Sequence, residues 1–95
     1  MIYNLTLDGF KSQRKEGIYV FHSPGCFTCE HHIEIFSKHF SNFYMISTME
    51  DPEYFESIGI KLTPETRIYK NDDLIFRKDG VMFDTQLDEM RKFLN

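Results

Sequence analysis

At 95 residues and 11.4 kDa the chain has the length of one small domain, enough to bury roughly 60 to 65 % of the surface exposed when unfolded but too little for two cores. Eleven Lys and Arg against fifteen Asp and Glu leave a net charge of −4, so no positive field favours nucleic acid or an anionic membrane. Ten Phe, five Tyr and an apolar content of 41 % suit a packed core and exclude a disordered or low-complexity chain.

No run of consecutive apolar residues is longer than Ile18 to Phe21, far short of the roughly 20 that span a bilayer. The start Met1-Ile2-Tyr3-Asn4 has neither the basic flank nor the apolar stretch of a signal peptide. A soluble, cytoplasmic monomer is expected. In that reducing compartment, two cysteines three apart point to chemistry or metal rather than to stapling.

Ile2 to Leu7 alternates enough for a first strand, and Asp8 is placed to cap a short helix reaching Lys15 before Gly17 breaks it. Lys11, Arg14 and Lys15 fit a solvated face of that helix. Ile18-Tyr19-Val20-Phe21, bounded by Gly17 and Ser23-Pro24-Gly25, reads as a central strand covered on both faces. From Cys26 the period changes: Cys29, Ile33, Phe36 and Phe40 recur at helical spacing, which predicts an amphipathic helix with Cys29 on its buried stripe. His31, His32 and His39 are expected to lie in solvent on that helix.

Phe43 to Ser47 reads as another strand, and Asp51-Pro52-Glu53 opens a short helix that Gly59 ends. Thr66 to Lys70 and Leu74 to Arg77 are expected to pair antiparallel about a tight Asn71-Asp72 turn. A last helix starts near Thr85, with Thr85 and Asp88 at capping-box spacing, Leu87, Met90 and Leu94 as its stripe, and Arg91 and Lys92 suited to its C-terminal dipole. The fold class is therefore α/β, a mixed sheet flanked by helices, formed by residues 1–95 as one domain.

Cys26-Phe27-Thr28-Cys29 directly follows an apolar strand and opens a helix, so the two sulfurs share one face of its first turn. Cys26 sits where unpaired N–H groups and the helix dipole favour a thiolate, the attacking species in disulfide exchange. Cys29, on the buried stripe, stays protonated and acts second. Phe27 is expected to face solvent beside the nucleophile, and Thr28 to offer its hydroxyl to the Cys26 sulfur. Zinc-like ligation by His22, Cys26, Cys29, His31 and His32 is the competing reading; helical geometry sends the two adjacent histidines away from Cys29.

This Cys-x-x-Cys, followed by Gly59-Ile60-Lys61-Leu62-Thr63-Pro64 and a β-hairpin, resembles thioredoxin. From Asp51-Pro52 through Leu87 the chain lies on a typical thioredoxin without a gap, including Lys70-Asn71 at the hairpin and Gly80 after it. The similarity is weakest before Gly17, and the deficit in length falls between Cys29 and Asp51. The resemblance implies a cis peptide between Thr63 and Pro64, packed against the disulfide, and a Thr63 backbone that pairs with an extended substrate. It also implies a substrate surface of Gly25, Phe27, Thr28, Thr63, Pro64 and Gly80.

Several positions depart from that pattern. The family's Trp before the first Cys is Gly25 here, and its Gly-Pro between the cysteines is Phe27-Thr28. Its buried Asp, six residues before the first Cys, aligns with Val20, and the Lys partner of that Asp with Met45. Loss of both members is coherent, because replacing a buried ion pair with apolar residues is often neutral or stabilising, whereas losing one leaves a bare charge. Water, His22 or Glu30 must then take the resolving thiol's proton, and His22 near the dithiol either tunes it or serves the structure alone. The expected function is reduction of protein disulfides through Cys26 and Cys29, with no bound cofactor and with a thioredoxin reductase or glutathione as electron donor. A metal- or iron–sulfur-binding protein on the same fold, or a non-catalytic interaction domain, is the alternative.

Overall fold

A computed structural model describes residues 1–94. Five strands, β1 (Ile2–Leu5), β2 (Gly17–His22), β3 (Phe43–Ser47), β4 (Glu65–Lys70) and β5 (Asp73–Asp79), form one sheet in the order β1-β3-β2-β4-β5. β3 runs parallel to β1 and β2, while β4 is antiparallel to β2 and β5. The helices are α1 (Leu7–Ser12), α2 (Phe27–His39), α3 (Pro52–Ser57) and α4 (Asp84–Met90).

Every residue from Ile18 to Phe21 is buried, as the unbroken apolar run predicts for a central strand. Successive side chains point to opposite faces. Ile18 and Val20 join Phe36, Phe40, Leu87 and Met90 from the α2 and α4 segments. Tyr19 and Phe21 join Phe10 and Phe55 from α1 and α3. Phe10 packs edge-on to both Tyr19 and Phe21, with ring centroids 5.7 and 5.5 Å away.

Several boundaries differ from the expectation. β1 stops at Leu5 because Thr6, rather than Asp8, caps α1: its Oγ1 accepts the Gly9 N–H at 3.0 Å. α1 ends at Ser12, so Arg14 and Lys15 are not on a helix face. They clasp the β4–β5 turn instead: Arg14 donates to Asn71, and the Lys15 N–H donates to the Asp72 carboxylate at 2.6 Å. That turn has left-handed backbone at Asn71 and Asp72, with φ of 52° and 67°, as a two-residue hairpin loop demands. β4 begins at Glu65 and β5 extends to Asp79, both longer than the apolar pattern marked.

α3 is capped by Asp51, whose carboxylate accepts from the Tyr54 N–H at 3.1 Å, with Pro52 in its first turn. α4 starts at Asp84, and Gln86 Oε1 accepts the Phe83 N–H at 3.0 Å. The Thr85–Asp88 capping box is therefore not formed; Asp88 lies 3.8 Å from Arg91. Leu87 and Met90 are buried, but the chain tightens into a 3-10 turn over Arg91–Leu94 and leaves Leu94 exposed.

Candidate functional site

Gly25 turns the chain from β2 into α2 with φ at 71°, in the left-handed region that glycine enters without strain. Cys26 follows as the N-cap of α2 and does with sulfur what a Ser or Asp does with oxygen, its Sγ accepting the Cys29 N–H at 3.2 Å. The two cysteines are joined in a disulfide, with Cα atoms 5.2 Å apart. Cys29 is 2 % exposed and Cys26 is half-buried, so Cys26 is the more accessible of the pair.

Thr28 Oγ1 lies 3.2 Å from Cys26 Sγ, and Thr63 Oγ1 donates toward the same sulfur at 3.8 Å. Three protein donors thus converge on Cys26, an arrangement that favours a thiolate there once the disulfide is reduced. Phe27, between the cysteines, is 87 % exposed.

The second half of the site is the segment entering β4. The Thr63–Pro64 peptide is cis, the Thr63 carbonyl oxygen lies 3.8 Å from Cys26 Sγ, and Ser23 Oγ holds Thr63 Oγ1 at 2.9 Å. The Gly80 N–H donates to the Pro64 carbonyl at 2.8 Å, which brings the loop after β5 against the same segment. An open groove of about 350 Å³, lined in part by Thr48, Phe55, Glu56, Lys61 and Thr63, borders it. The fold therefore assembles Gly25, Cys26, Phe27, Thr28 and Cys29 with Thr63, Pro64 and Gly80.

An ionic network with Glu65 and Arg67 buried and Arg77 exposed anchors the approach to Thr63. Arg67 pairs with Glu65, donates to the Tyr69 hydroxyl at 3.0 Å, and donates to the Ile58 carbonyl at 2.7 Å. Arg77 donates to the other Glu65 oxygen at 2.9 Å and to the Gly59 carbonyl at 2.6 Å. Burial works against the charge of Arg67, yet its bonds to Tyr69 and Glu65 outweigh that and raise its pKa above the usual arginine value. The end of α3 is thus tied to β4 on either side of the Thr63–Pro64 loop. Nothing in the polar letters of β4 marks Glu65 and Arg67 as interior; their spacing of two, which sets both on one face with Tyr69, is the available signal.

His32 overturns the expectation of a solvated helix residue. It is 0 % exposed. Cys29, His32 and Phe36 are the buried residues of α2, at i, i+3 and i+7, so the true stripe is rotated from the predicted one and Ile33 is only partly buried. The Met82 N–H donates to His32 Nδ1 at 3.2 Å, which leaves Nε2 as the protonated nitrogen, donating to Thr66 Oγ1 at 2.8 Å. Burial lowers its pKa to about 4. His39 is likewise not free in solvent, since its Nε2 meets Asp84 at 2.9 Å and links the ends of α2 and α4. His31 does remain exposed, edge-on to Phe83.

Val20 and Met45 face each other in the β2–β3 ladder, with Thr66 opposite Val20 on β4. Val20 is fully buried. Burial lowers the His22 pKa, Glu30 is exposed, and among the described residues neither makes a side-chain hydrogen bond to a sulfur. Among the described residues no three His, Cys, Asp or Glu side chains converge as a metal-ligand cluster. No helix among them is long and apolar enough to cross a membrane.

No protein-family model matches the chain, and no curated protein sequence matches it. Solved structures do. The thioredoxin of Malassezia sympodialis (Mala s 13) superposes with a TM-score of 0.81 at 17 % identity, over 100 % of this chain and 92 % of that one. Plasmodium falciparum thioredoxin superposes with a TM-score of 0.78 at 21 % identity, over 100 % of both chains. With its five-stranded mixed sheet, its flanking helices and a Cys-x-x-Cys pair at the start of α2, this chain has the thioredoxin fold.

Proposed function

We propose that the chain is a thiol-disulfide oxidoreductase that reduces protein disulfides in the cytoplasm as a single domain. The observation that carries this reading is the asymmetry of the dithiol: Cys26 is partly accessible at a helix start among hydrogen-bond donors, and Cys29 lies buried one turn on. In the reduced protein the Cys26 thiolate attacks a substrate sulfur. A Cys26–substrate disulfide forms, and the other substrate sulfur leaves and takes a proton. Cys29 then gives up its proton and attacks the Cys26 sulfur, which expels the second substrate thiol and leaves the Cys26–Cys29 disulfide. Two electrons from a thioredoxin reductase or from glutathione restore the dithiol.

The Thr63 backbone next to Cys26 is suited to pair with an extended substrate segment, and the neighbouring groove leaves room for the chain beyond it. Exposed Phe27 supplies apolar contact beside the nucleophile, with Gly25, Thr28, Pro64 and Gly80 completing the surface. With Val20 in place of an acid, solvent serves as the base for Cys29. No resident cofactor enters this cycle. Reduction of a protein disulfide, followed side by side with a thioredoxin reductase and with glutathione, tests the reading. Turnover that depends on Cys26 supports it; a reduced protein inert toward both donors and substrate refutes it. An absorption band in the visible range in freshly purified protein would instead favour the metal- or iron–sulfur-binding alternative.

A further inference from the structure

We propose that His32 is a positioning residue: its imidazole fixes the dithiol helix against the strand and loop that hold the substrate. The inference rests on the oxidoreductase reading and adds a residue to it. Three chain segments form the site, namely α2 with the cysteines, the Thr63–Pro64 entry to β4, and the loop through Gly80. The His32 ring is bonded to two of them from the third. Its Nε2–H donates to Thr66, two residues beyond Pro64, and its Nδ1 accepts from Met82, two residues beyond Gly80. The Gly80 N–H donates in turn to the Pro64 carbonyl, so the three segments close a hydrogen-bonded circuit with His32 at its centre.

Packing alone does not call for an imidazole at this place. An apolar residue on the stripe between Cys29 and Phe36 would bury without desolvating a polar ring. Nor is the ring free for other chemistry. Its lone pair is engaged by the Met82 N–H, so His32 is neither the acceptor for the Cys29 proton nor a metal ligand in this state. What the two bonds do is fix distance. They hold α2 at a set separation from β4, and hence Cys26 at a set separation from the Thr63 backbone. Small misplacements of reacting groups carry large rate penalties.

The test uses His32→Leu, which removes both bonds, Thr66→Val, which removes one, and His32→Gln, whose amide offers both a donor and an acceptor. A small aromatic disulfide reagent reports Cys26 attack without needing Thr63, and a peptide disulfide reports attack that uses the Thr63 backbone. In His32→Leu the peptide rate should fall about tenfold or more relative to the reagent rate, with an intermediate fall in Thr66→Val and recovery to within about threefold in His32→Gln. A general loss of stability lowers both rates together and leaves their ratio unchanged. Should His32→Leu fail to fold, Thr66→Val decides. An unchanged ratio in the folded variants overturns the proposal. Amide hydrogen exchange gives a second readout that needs no activity: the Met82 and Gly80 amides should exchange about tenfold faster or more in His32→Leu, while the Val20 amide keeps its protection. Unchanged exchange at both amides also overturns it. A parent that exchanges with the small reagent but never with a peptide disulfide refutes the oxidoreductase reading instead, and the amide data then judge the clamp alone.

Discussion

Substituting Val20→Asp probes the interior under the dithiol helix. Val20 is fully buried among Phe36, Phe40 and Phe43, and its neighbours in the ladder are Met45 and Thr66. The aspartate side chain is close enough in size to valine that the polar terms outweigh any cavity term. What is lost is about 1.5 to 3 kcal/mol of apolar burial, and desolvating a neutral carboxyl adds about 1 to 3 kcal/mol. A bond to the Thr66 hydroxyl offsets part of this, leaving roughly 2 to 4 kcal/mol of destabilisation with the proton on. Burial keeps that proton on the folded protein, whereas the unfolded chain releases it near pH 4. The folded state thus binds more protons than the unfolded one, and the deficit grows as pH rises, by up to about 1.4 kcal/mol per unit until the raised folded pKa is passed. Urea unfolding of parent and variant at pH 5 and pH 6.5 is the assay, with a deficit about 2 kcal/mol larger at the higher pH. Equal stability at both pH values, or a deficit that shrinks as pH rises, would refute the reasoning and the placement of Val20 in a dry core.

The parent should itself weaken in acid. His32 is held neutral in the fold with its pKa at about 4, so its contribution is complete above pH 6.5 and is lost as pH falls from there toward 4, by on the order of 3 kcal/mol; His32→Gln should remove this part of the pH dependence of urea midpoints. In the reduced protein Cys26 should alkylate faster than Cys29 at neutral pH, which mass mapping after partial alkylation reads directly, and preferential labelling of Cys29 would reverse the assignment. Thr28→Val should lower the reduction potential by roughly 20 mV, the equivalent of about 1 kcal/mol for one exposed hydrogen bond to the thiolate. A redox titration showing no shift means that the hydroxyl does not serve the sulfur.

The elements that position the dithiol were legible because their signals are local. Four consecutive apolar residues between glycine-bearing turns mark β2, the switch to helical spacing marks α2, and the Asn71-Asp72 pair marks the hairpin. Thr63–Pro64 was legible only through resemblance, since no local feature tells a cis proline from a trans one. What stayed hidden is polar and interior. His32 carries a polar letter, yet it is buried because two partners distant in sequence, Thr66 and Met82, satisfy both ring nitrogens. Glu65 and Arg67 are interior for the same kind of reason, each supplying the other's counter-charge. Helix ends slipped where the cap chosen by the fold, Thr6 or the Phe83–Gln86 bond, competed with an equally plausible polar residue one or two positions away.

Trapping of the mixed disulfide tests the central claim most directly. Reduced Cys29→Ser, mixed with a protein carrying an accessible disulfide, should accumulate a covalent adduct through Cys26 that dithiothreitol dissolves, while Cys26→Ser should accumulate none. Absence of an adduct with either variant, or equal adducts with both, would contradict the assignment of Cys26 as the attacking thiol and Cys29 as the resolving one.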